Sequence, residues 1–150
     1  MIARILVAVD DSPAALAAAR AAVTAAVQFG AALRIVHVRA DRTGDPLRGA
    51  REPVDAAGTA RRGAEADALL RHVLAIADRS GVRADPRLVT GQAVARGILS
   101  EVRGWPAELI VIGRSDRTGP GEPYIGQVSR HVLELADVPV LVVPAPLRTP

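Results

Sequence analysis

The sequence predicts an α/β protein: one doubly wound domain in which a five-stranded parallel sheet carries helices on both of its faces. Three observations favour this fold. Short β-branched apolar segments alternate with longer segments of helical periodicity along the chain. The most apolar segments, LIVIG and PVLVV, show no polar alternation, as expected for strands that are covered on both faces. Glycine and proline punctuate the joins, and this strand–helix rhythm is typical of parallel strands with right-handed crossovers.

Length and composition are those of a single globular domain. The chain has 150 residues, of which 49% are apolar and 23% are charged, and we expect residues 1–150 to form one unit. Aromatic residues make up only 2%, so the core must be aliphatic and little material remains for stacking bases. The pI of 10.8 comes from arginine alone, since lysine is absent, and the net charge is only +3. The arginines alternate with acids, which does not favour nucleic-acid binding.

Several protein classes are excluded or disfavoured by what the sequence lacks. The absence of cysteine excludes disulfides, thiol catalysis and thiolate metal sites. The apolar run in MIARILVAVDDS is too short for a signal peptide and is followed by two acids. No segment is long and apolar enough to span a membrane. We therefore expect a cytoplasmic protein without a membrane partner.

The first strand is predicted at Ile2–Val9, and a helix start follows it directly. Asp11 or Ser12 can cap the free N–H groups of this helix, and Pro13 suits its first turn. The alanine-rich run Ala14–Phe29 then has the composition of a helix.

The middle of the chain contains the least regular segment. Gly30 can end the first helix in the left-handed conformation, and Leu33–Val38 is the second predicted strand. Arg39–Gly58 is rich in glycine, proline and charges of both signs, so we expect a long surface loop. A helix is predicted at Thr59–Ser80, with Gly81 as its cap. Its apolar stripe comprises Ala66, Leu69, Leu70, Val73 and Ala77.

The last third of the chain repeats the alternation. Arg83–Thr90 is polar for a strand, which predicts a position at the edge of the sheet. The remaining predicted elements are helix Ala93–Val102, strand Leu109–Ile112, helix Gly126–Ala136, strand Pro139–Val143 and a loose tail at 144–150.

The predicted binding site lies at the carboxyl ends of the strands. Asp10, Val38 and Gly113 all fall there, and ligands of doubly wound sheets bind at that edge. Gly113 precedes a glycine- and proline-rich loop and a helix opened by Gly126, where backbone N–H groups and the helix dipole favour an anion. The interval of 13 residues is long for a strand–helix connection. Two simpler interpretations stay open: Asp10 as a helix cap only, and the loop as a plain connection.

Other site chemistries find little support. A P-loop needs a lysine, and the dinucleotide fingerprint needs glycines directly after the first strand, where this chain has VDDSPAA. No pair of histidines has metal-ligand spacing, so we interpret them as structural. The serines lack an evident histidine and aspartate partner, so we expect no enzyme. The residues considered were His37, His72, His131, Ser12, Ser115 and Ser129.

The chain resembles the universal stress protein family from about Arg4 to Val143. ILVAVDDSPAA is similar to that family's first strand and acidic turn, LRIVHV to its second strand, and VPVLVVP to its last strand. GRSDRTGPGEPYIGQVS resembles its nucleotide loop, a glycine, two residues, a glycine, nine residues, a glycine and then Ser or Thr. Gly113 and Gly126 hold the outer glycine positions of that pattern.

This resemblance implies the strand order 3-2-1-4-5 and ATP as the ligand, with Mg²⁺ held through the phosphates if a metal takes part. It further implies a homodimer through Pro139–Val143, which acts in stress response by nucleotide-dependent interaction, any slow ATP hydrolysis being incidental. Ser129 would add its hydroxyl to the phosphate site. The implied nucleotide-binding residues are Ala8, Val9, Asp10 and Val38 beside the adenosine, Ile112 and Gly113 beside base and ribose, and Gly126, Gln127, Val128 and Ser129 at the phosphates.

Two alternatives remain. Asp116 replaces the middle glycine of the loop pattern and Gln127 replaces the Ser or Thr, which favours a homologue that binds no ATP and serves as an interaction scaffold. Asp10 and Asp11 also resemble the acidic pair of a phospho-acceptor receiver domain. That class requires a lysine after the last strand and an aspartate at the end of the third, and this chain has neither.

Overall fold

A computed structural model describes residues 1–10, 12–39, 56–91, 93–114 and 126–146, and only the backbone of 56–62. The sheet has the order β3-β2-β1-β4-β5 with every neighbouring pair parallel, which confirms the predicted fold class and strand order. The strands are β1 Arg4–Ala8, β2 Ala32–Arg39, β3 Ala84–Thr90, β4 Leu109–Gly113 and β5 Val140–Val143. The helices are α1 Pro13–Phe29, α2 Ala56–Arg79, α3 Val94–Gly104 and α4 Gln127–Leu135.

The sheet separates two hydrophobic cores, one on each face. Ile5 and Val7 of β1 face α1 and α2, whereas Leu6 and Ala8 face α3 and α4. Because successive side chains of a strand point to opposite faces, a central strand of this sheet must be apolar at every position. This accounts for the uninterrupted apolar runs of β1 and β4, whose central residues are all buried.

Helix α1 is fixed at both ends by local interactions. The Ser12 hydroxyl accepts a hydrogen bond from Ala15 N–H at 3.1 Å, and Pro13 occupies the first turn. At the other end Gly30 adopts φ 64°, and its N–H is directed at the carbonyls of Ala26 and Val27. Of the two predicted caps, Ser12 is therefore the one observed, whereas Asp11 lies outside the described residues. Such a cap contributes about 1 kcal/mol.

The predicted loop Arg39–Gly58 was wrong at both of its ends. Helix α2 begins at Ala56 instead of Thr59, so Gly58 lies inside it, and Arg39 belongs to β2. The run AAGTA is mostly alanine, whose helix propensity outweighs the cost of about 1 kcal/mol for one glycine. The central part of the predicted loop, 40–55, lies outside the described residues, as does 147–150 of the predicted tail. Within the described part of the chain, no helix is both long and apolar enough to cross a membrane.

The two edge strands differ in how they protect their free edge. Leu33 N–H donates to the Arg83 carbonyl at 3.1 Å, so alternate residues from Arg83 onward direct their backbone groups to β2. Pro86 belongs to the other set of alternate residues (the other parity), whose backbone groups point outward, away from β2. A proline at this position removes one exposed donor from the free edge. β5 has no proline among its four residues, and Leu141 is 43% exposed. The edge position of Arg83–Thr90 was expected from its polar sequence, and that of Pro139–Val143 from the strand order that the resemblance implies.

Arg34 links β2, β3 and α3 on the α3 side of the sheet. Its Nη2 lies 2.7 Å from Asp85 Oδ2 and its Nη1 lies 3.4 Å from Glu101 Oε2. The guanidinium carbon stacks 4.7 Å from the ring centroid of Trp105, and the Arg34 side chain is only 11% exposed. Trp105 in turn packs against the α3–α4 core.

Candidate nucleotide crevice

The carboxyl ends of β1, β2 and β4 meet at one edge of the sheet. Ala8 pairs with Val36 on one side and with Ile112 on the other. The chain moves from β1 outward to β3 and then crosses back to β4, so the strand order reverses between β1 and β4. A crevice at this reversal is where doubly wound sheets bind ligands.

Gly113 brings the end of β4 into direct contact with the start of α1. A Cβ on Gly113 would lie 2.6 Å from the carbonyl carbon of Ala14 and 2.8 Å from Ala15 N. No real side chain tolerates such a distance from the main chain, so the position requires glycine for reasons of space. The first turn of α1 consequently lies against the floor of the crevice.

Ser129 of α4 also contacts Gly113. Its hydroxyl donates to the Gly113 carbonyl at 3.2 Å, and the residue is only 2% exposed. The structure therefore occupies the Ser129 donor with a protein acceptor, whereas the resemblance implied a phosphate for it. The backbone N–H of Ser129 remains in the first turn of α4.

The N-terminus of α4 carries N–H groups that its cap does not satisfy. Gly126 is the N-cap and has no side chain, and the first intrahelical bond runs from Arg130 N–H to the Gly126 carbonyl. The N–H groups of Gln127, Val128 and Ser129 thus precede the intrahelical ladder. Together with the helix dipole they favour an anion. Residues 115–125, which include Asp116 and Tyr124, lie outside the described part of the chain.

Asp10 follows β1 at the opening of the crevice and is exposed. Its Oδ1 accepts a hydrogen bond from Ser12 N–H at 2.8 Å, which orders the turn into α1. The helix cap itself is the Ser12 hydroxyl, so capping does not account for Asp10. Among the described residues, only one of the two Asp10 carboxylate oxygens has a hydrogen-bond partner.

His37 interrupts the pairing of β1 with β2 at this edge. Val9 N–H donates to the Val36 carbonyl at 2.9 Å, and the next bond of the ladder would run from Val38 N–H to the Val9 carbonyl. In the described part of the chain that bond does not form. The Val9 carbonyl instead lies 2.7 Å from His37 Nδ1. A carbonyl can only accept, so Nδ1 carries the hydrogen.

Sequence reasoning placed Asp10, Val38 and Gly113 at one edge of the sheet but missed two contacts there. It considered His37 only as a structural residue or metal ligand, and it did not anticipate the approach of Ala14 to Gly113. The position of His37 beside Val38, at the end of LRIVHV, was the available signal. Within the described residues, no group of three or more His, Asp or Glu side chains could hold a metal ion.

Two open depressions of the described surface lie at the opposite edge of the sheet, at the amino ends of the strands. They are formed around the ends of α1 and α2 and the starts of β2 and β3, and none of the predicted site residues lines them. Their walls are mainly small apolar side chains, with Asp78 and Arg83 as the charged members.

Comparison with known proteins agrees with this architecture. A sequence model of the universal stress protein family matches residues 1–144. A universal stress family protein from Burkholderia pseudomallei is 31% identical, with a TM-score of 0.71 and coverage of 96% of this chain and 97% of that one. Universal stress protein UspA from Lactobacillus plantarum is 26% identical, with a TM-score of 0.76 and coverage of 95% and 97%.

A third structure carries a ligand. The universal stress protein from Archaeoglobus fulgidus in complex with dAMP is 26% identical, with a TM-score of 0.69 and coverage of 95% of this chain and 99% of that one. No curated protein matches the chain significantly in sequence. The family match over nearly the whole length, the strand order and the solved relatives lead to one conclusion. This chain belongs to the universal stress protein family.

Proposed function

We propose that this protein is a dimeric, cytoplasmic ATP-binding module of stress response, which acts through nucleotide-dependent interaction and not through turnover. The observation that carries the proposal is the backbone of Val38 at the carboxyl edge, which has no strand partner on the β1 side among the described residues. In β2, Ala32 and Val36 direct their backbone groups to β1, so Val38, on the same parity, does so beyond the point where β1 pairing has ended. Its N–H and carbonyl thus face the crevice as one donor and one acceptor.

A donor and an acceptor on the same residue suit the Watson–Crick edge of adenine. Adenine N1 accepts and its amino group donates, so both could pair with Val38, whereas a base with the reverse pattern could not do so in the same orientation. Ala8, Val9, Ile112 and Gly113 would border the base and the ribose, and Asp10 would accept from a ribose hydroxyl. The dAMP complex of the Archaeoglobus fulgidus relative supports an adenine nucleotide as the ligand class.

The phosphates would lie at the N-terminus of α4. The N–H groups of Gln127, Val128 and Ser129 have no hydrogen-bond partner among the described residues, and Gly126 adds no side chain in front of them. Mg²⁺ would be held through the phosphates. The described residues supply no cluster of ligands for a metal on their own.

Calorimetry with ATP and Mg²⁺ tests this proposal, with thermal unfolding as a second readout. Ligand at a hundred times its Kd adds about 2.7 kcal/mol to the free energy of unfolding. We expect measurable heat and a raised Tm with ATP, and a loss of both in a variant with Asp10→Ala. The absence of both binding heat and a change in Tm at millimolar ATP would overturn the proposal.

The second candidate function is that of a protein-interaction scaffold that no longer binds ATP. Its support is Asp116, which lies outside the described residues, and Gln127 at the start of α4. Two unit charges about 5 Å apart at an effective dielectric constant of 20 repel by roughly 3 kcal/mol, or about a hundredfold in affinity. The variant Asp116→Gly distinguishes the candidates: binding that appears only in this variant supports the scaffold.

The dimer would form through the free edge of β5. Ile110 N–H bonds to the Pro139 carbonyl and Arg114 N–H to the Val143 carbonyl, so the backbone groups of Val140 and Val142 point away from β4. An antiparallel copy could pair Val140 with Val142 of its partner across a two-fold axis at Leu141. The exposed Leu141 side chains would then meet at that axis.

A further inference from the structure

His37 occupies the acceptor that strand pairing would otherwise use at the edge of the crevice. Its Nδ1 donates to the Val9 carbonyl at 2.7 Å, and the side chain is half-buried. His37 belongs to the parity of β2 whose backbone bonds to β3, in register with Leu88. Only its imidazole, and not its main chain, therefore reaches β1.

The consequence falls on the neighbouring residue. The β1–β2 ladder continues to the bond between Val9 N–H and the Val36 carbonyl, so Val9 and β2 are still in register at this point. If the Val9 carbonyl were free, Val38 N–H would be its natural partner in a parallel ladder. In the structure the imidazole lies on that carbonyl and Val38 N–H does not bond to it, so Val38 N–H is left for another acceptor.

We infer that His37 is a positioning residue for recognition of the base: by holding the Val9 carbonyl, its imidazole keeps Val38 N–H open to the ring nitrogen of adenine. This inference rests on the proposed nucleotide function. His37 does not touch the ligand, and its effect is transmitted through one carbonyl. His37 would therefore affect the specificity for the base more than the binding of the phosphates, which would lie at the N-terminus of α4.

Two substitutions separate this role from simple packing. In His37→Asn, the amide Nδ2 stands the same number of bonds from the main chain as Nδ1 and can still donate to the Val9 carbonyl. In His37→Leu, the volume is largely kept but the donor is lost. The Val9 carbonyl then becomes free to accept from Val38 N–H, which closes the donor to the base.

Binding of ATP and of inosine triphosphate is compared by calorimetry. Hypoxanthine carries a donor at N1 and an acceptor at position 6, so it cannot use the open Val38 N–H as adenine does. We expect His37→Leu to lower the affinity for ATP about tenfold, the effect of one lost hydrogen bond. The affinity for inosine triphosphate should be nearly unchanged. His37→Asn should retain the wild-type preference. Equal ATP affinity in wild type and His37→Leu, or an equal loss for both nucleotides, would overturn the inference.

A measurement without nucleotide separates this inference from the proposed function. Amide hydrogen exchange by NMR on the full-length, ligand-free protein should show Val38 N–H unprotected in wild type and His37→Asn, and protected in His37→Leu. The same protection in all three proteins would disprove the role of His37. A wild type that shows the exchange pattern but binds no ATP would leave the strand arrangement intact and reject the nucleotide instead.

Discussion

Gly113 lies against the main chain of Ala14, so closely that a Cβ on Gly113 would be 2.6 Å from the Ala14 carbonyl carbon and 2.7 Å from its oxygen. Gly113 is the last residue of β4, and Ala14 is in the first turn of α1. The contact joins the two segments on which the crevice is built. It also explains the glycine without recourse to an unusual φ, because Gly113 is not among the described glycines with positive φ.

The substitution Gly113→Ala should destabilise the fold by about 1–3 kcal/mol, since the added methyl group meets backbone atoms that cannot rotate away. It should also weaken ATP binding by displacing α1 from the crevice. Urea unfolding measures the first effect and calorimetry the second. Gly104→Ala is the matched control, because nothing lies within 4 Å of its Cβ position at the end of α3. We expect it to change the free energy of unfolding by less than about 1 kcal/mol, and a similar loss in both variants would contradict the steric explanation.

Ser12 and Asp10 should separate stability from binding. Ser12→Ala removes the cap of α1 and should cost about 1 kcal/mol of stability, with the Kd for ATP unchanged in the folded protein. Asp10→Asn keeps an oxygen that can accept from Ser12 N–H but removes the charge. It should therefore leave the Tm nearly unaltered and lower the affinity for ATP several-fold. The measurements are thermal unfolding without ligand and titration with ATP. If Asp10→Asn bound ATP as the wild type does, its carboxylate would have no part in the site.

A single proline should dissolve the proposed dimer. Val142→Pro removes an outward N–H from the free edge of β5 and spares the bonds to β4, because that side of the ladder uses the alternate residues. Pro86 already provides the same device on β3. Light scattering at micromolar concentration should give a dimer for the wild type and a monomer for the variant. A wild-type monomer, or a dimer that persists in the variant, would refute the β5 interface.

Arg34 is expected to stabilise the α3 side of the fold. Arg34→Met removes the stacking on Trp105 and both ion pairs while keeping most of the aliphatic length, and should cost about 1–3 kcal/mol. The ion pairs themselves contribute modestly, since Asp85 is 46% exposed. Arg34→Lys should restore only part of the loss because an ammonium lacks the planar fork. Trp105 is the single tryptophan, so its fluorescence follows unfolding of this region directly. Full recovery with lysine would mean that charge alone matters.

Much of the fold follows from local sequence patterns. The order of strands and helices, the left-handed Gly30, the polar edge strand β3 and the capping region before Pro13 were all predicted from neighbouring residues. The errors also have local causes. Helix α2 starts earlier than predicted because the helix propensity of its alanines outweighs the cost of Gly58. Judging the boundary from a single glycine overestimates that cost.

The crevice could be predicted only in part. Sequence reasoning placed Asp10, Val38 and Gly113 at one edge because parallel strands align their carboxyl ends. It could not foresee that Gly113 meets Ala14, or that the Ser129 hydroxyl is taken by the Gly113 carbonyl. Those partners are distant in the chain, and no local propensity encodes the distance between them.

By itself, the sequence determined the kinds of elements, their order and the family, because apolar periodicity, turn residues and caps act over a few neighbouring positions. Only the tertiary structure decided that His37 withdraws the Val9 carbonyl from the ladder and that Ser12 caps α1 while Asp10 stays at the crevice. These choices depend on hydrogen-bond partners that compete within a few ångströms, and that competition exists only once the strands are assembled.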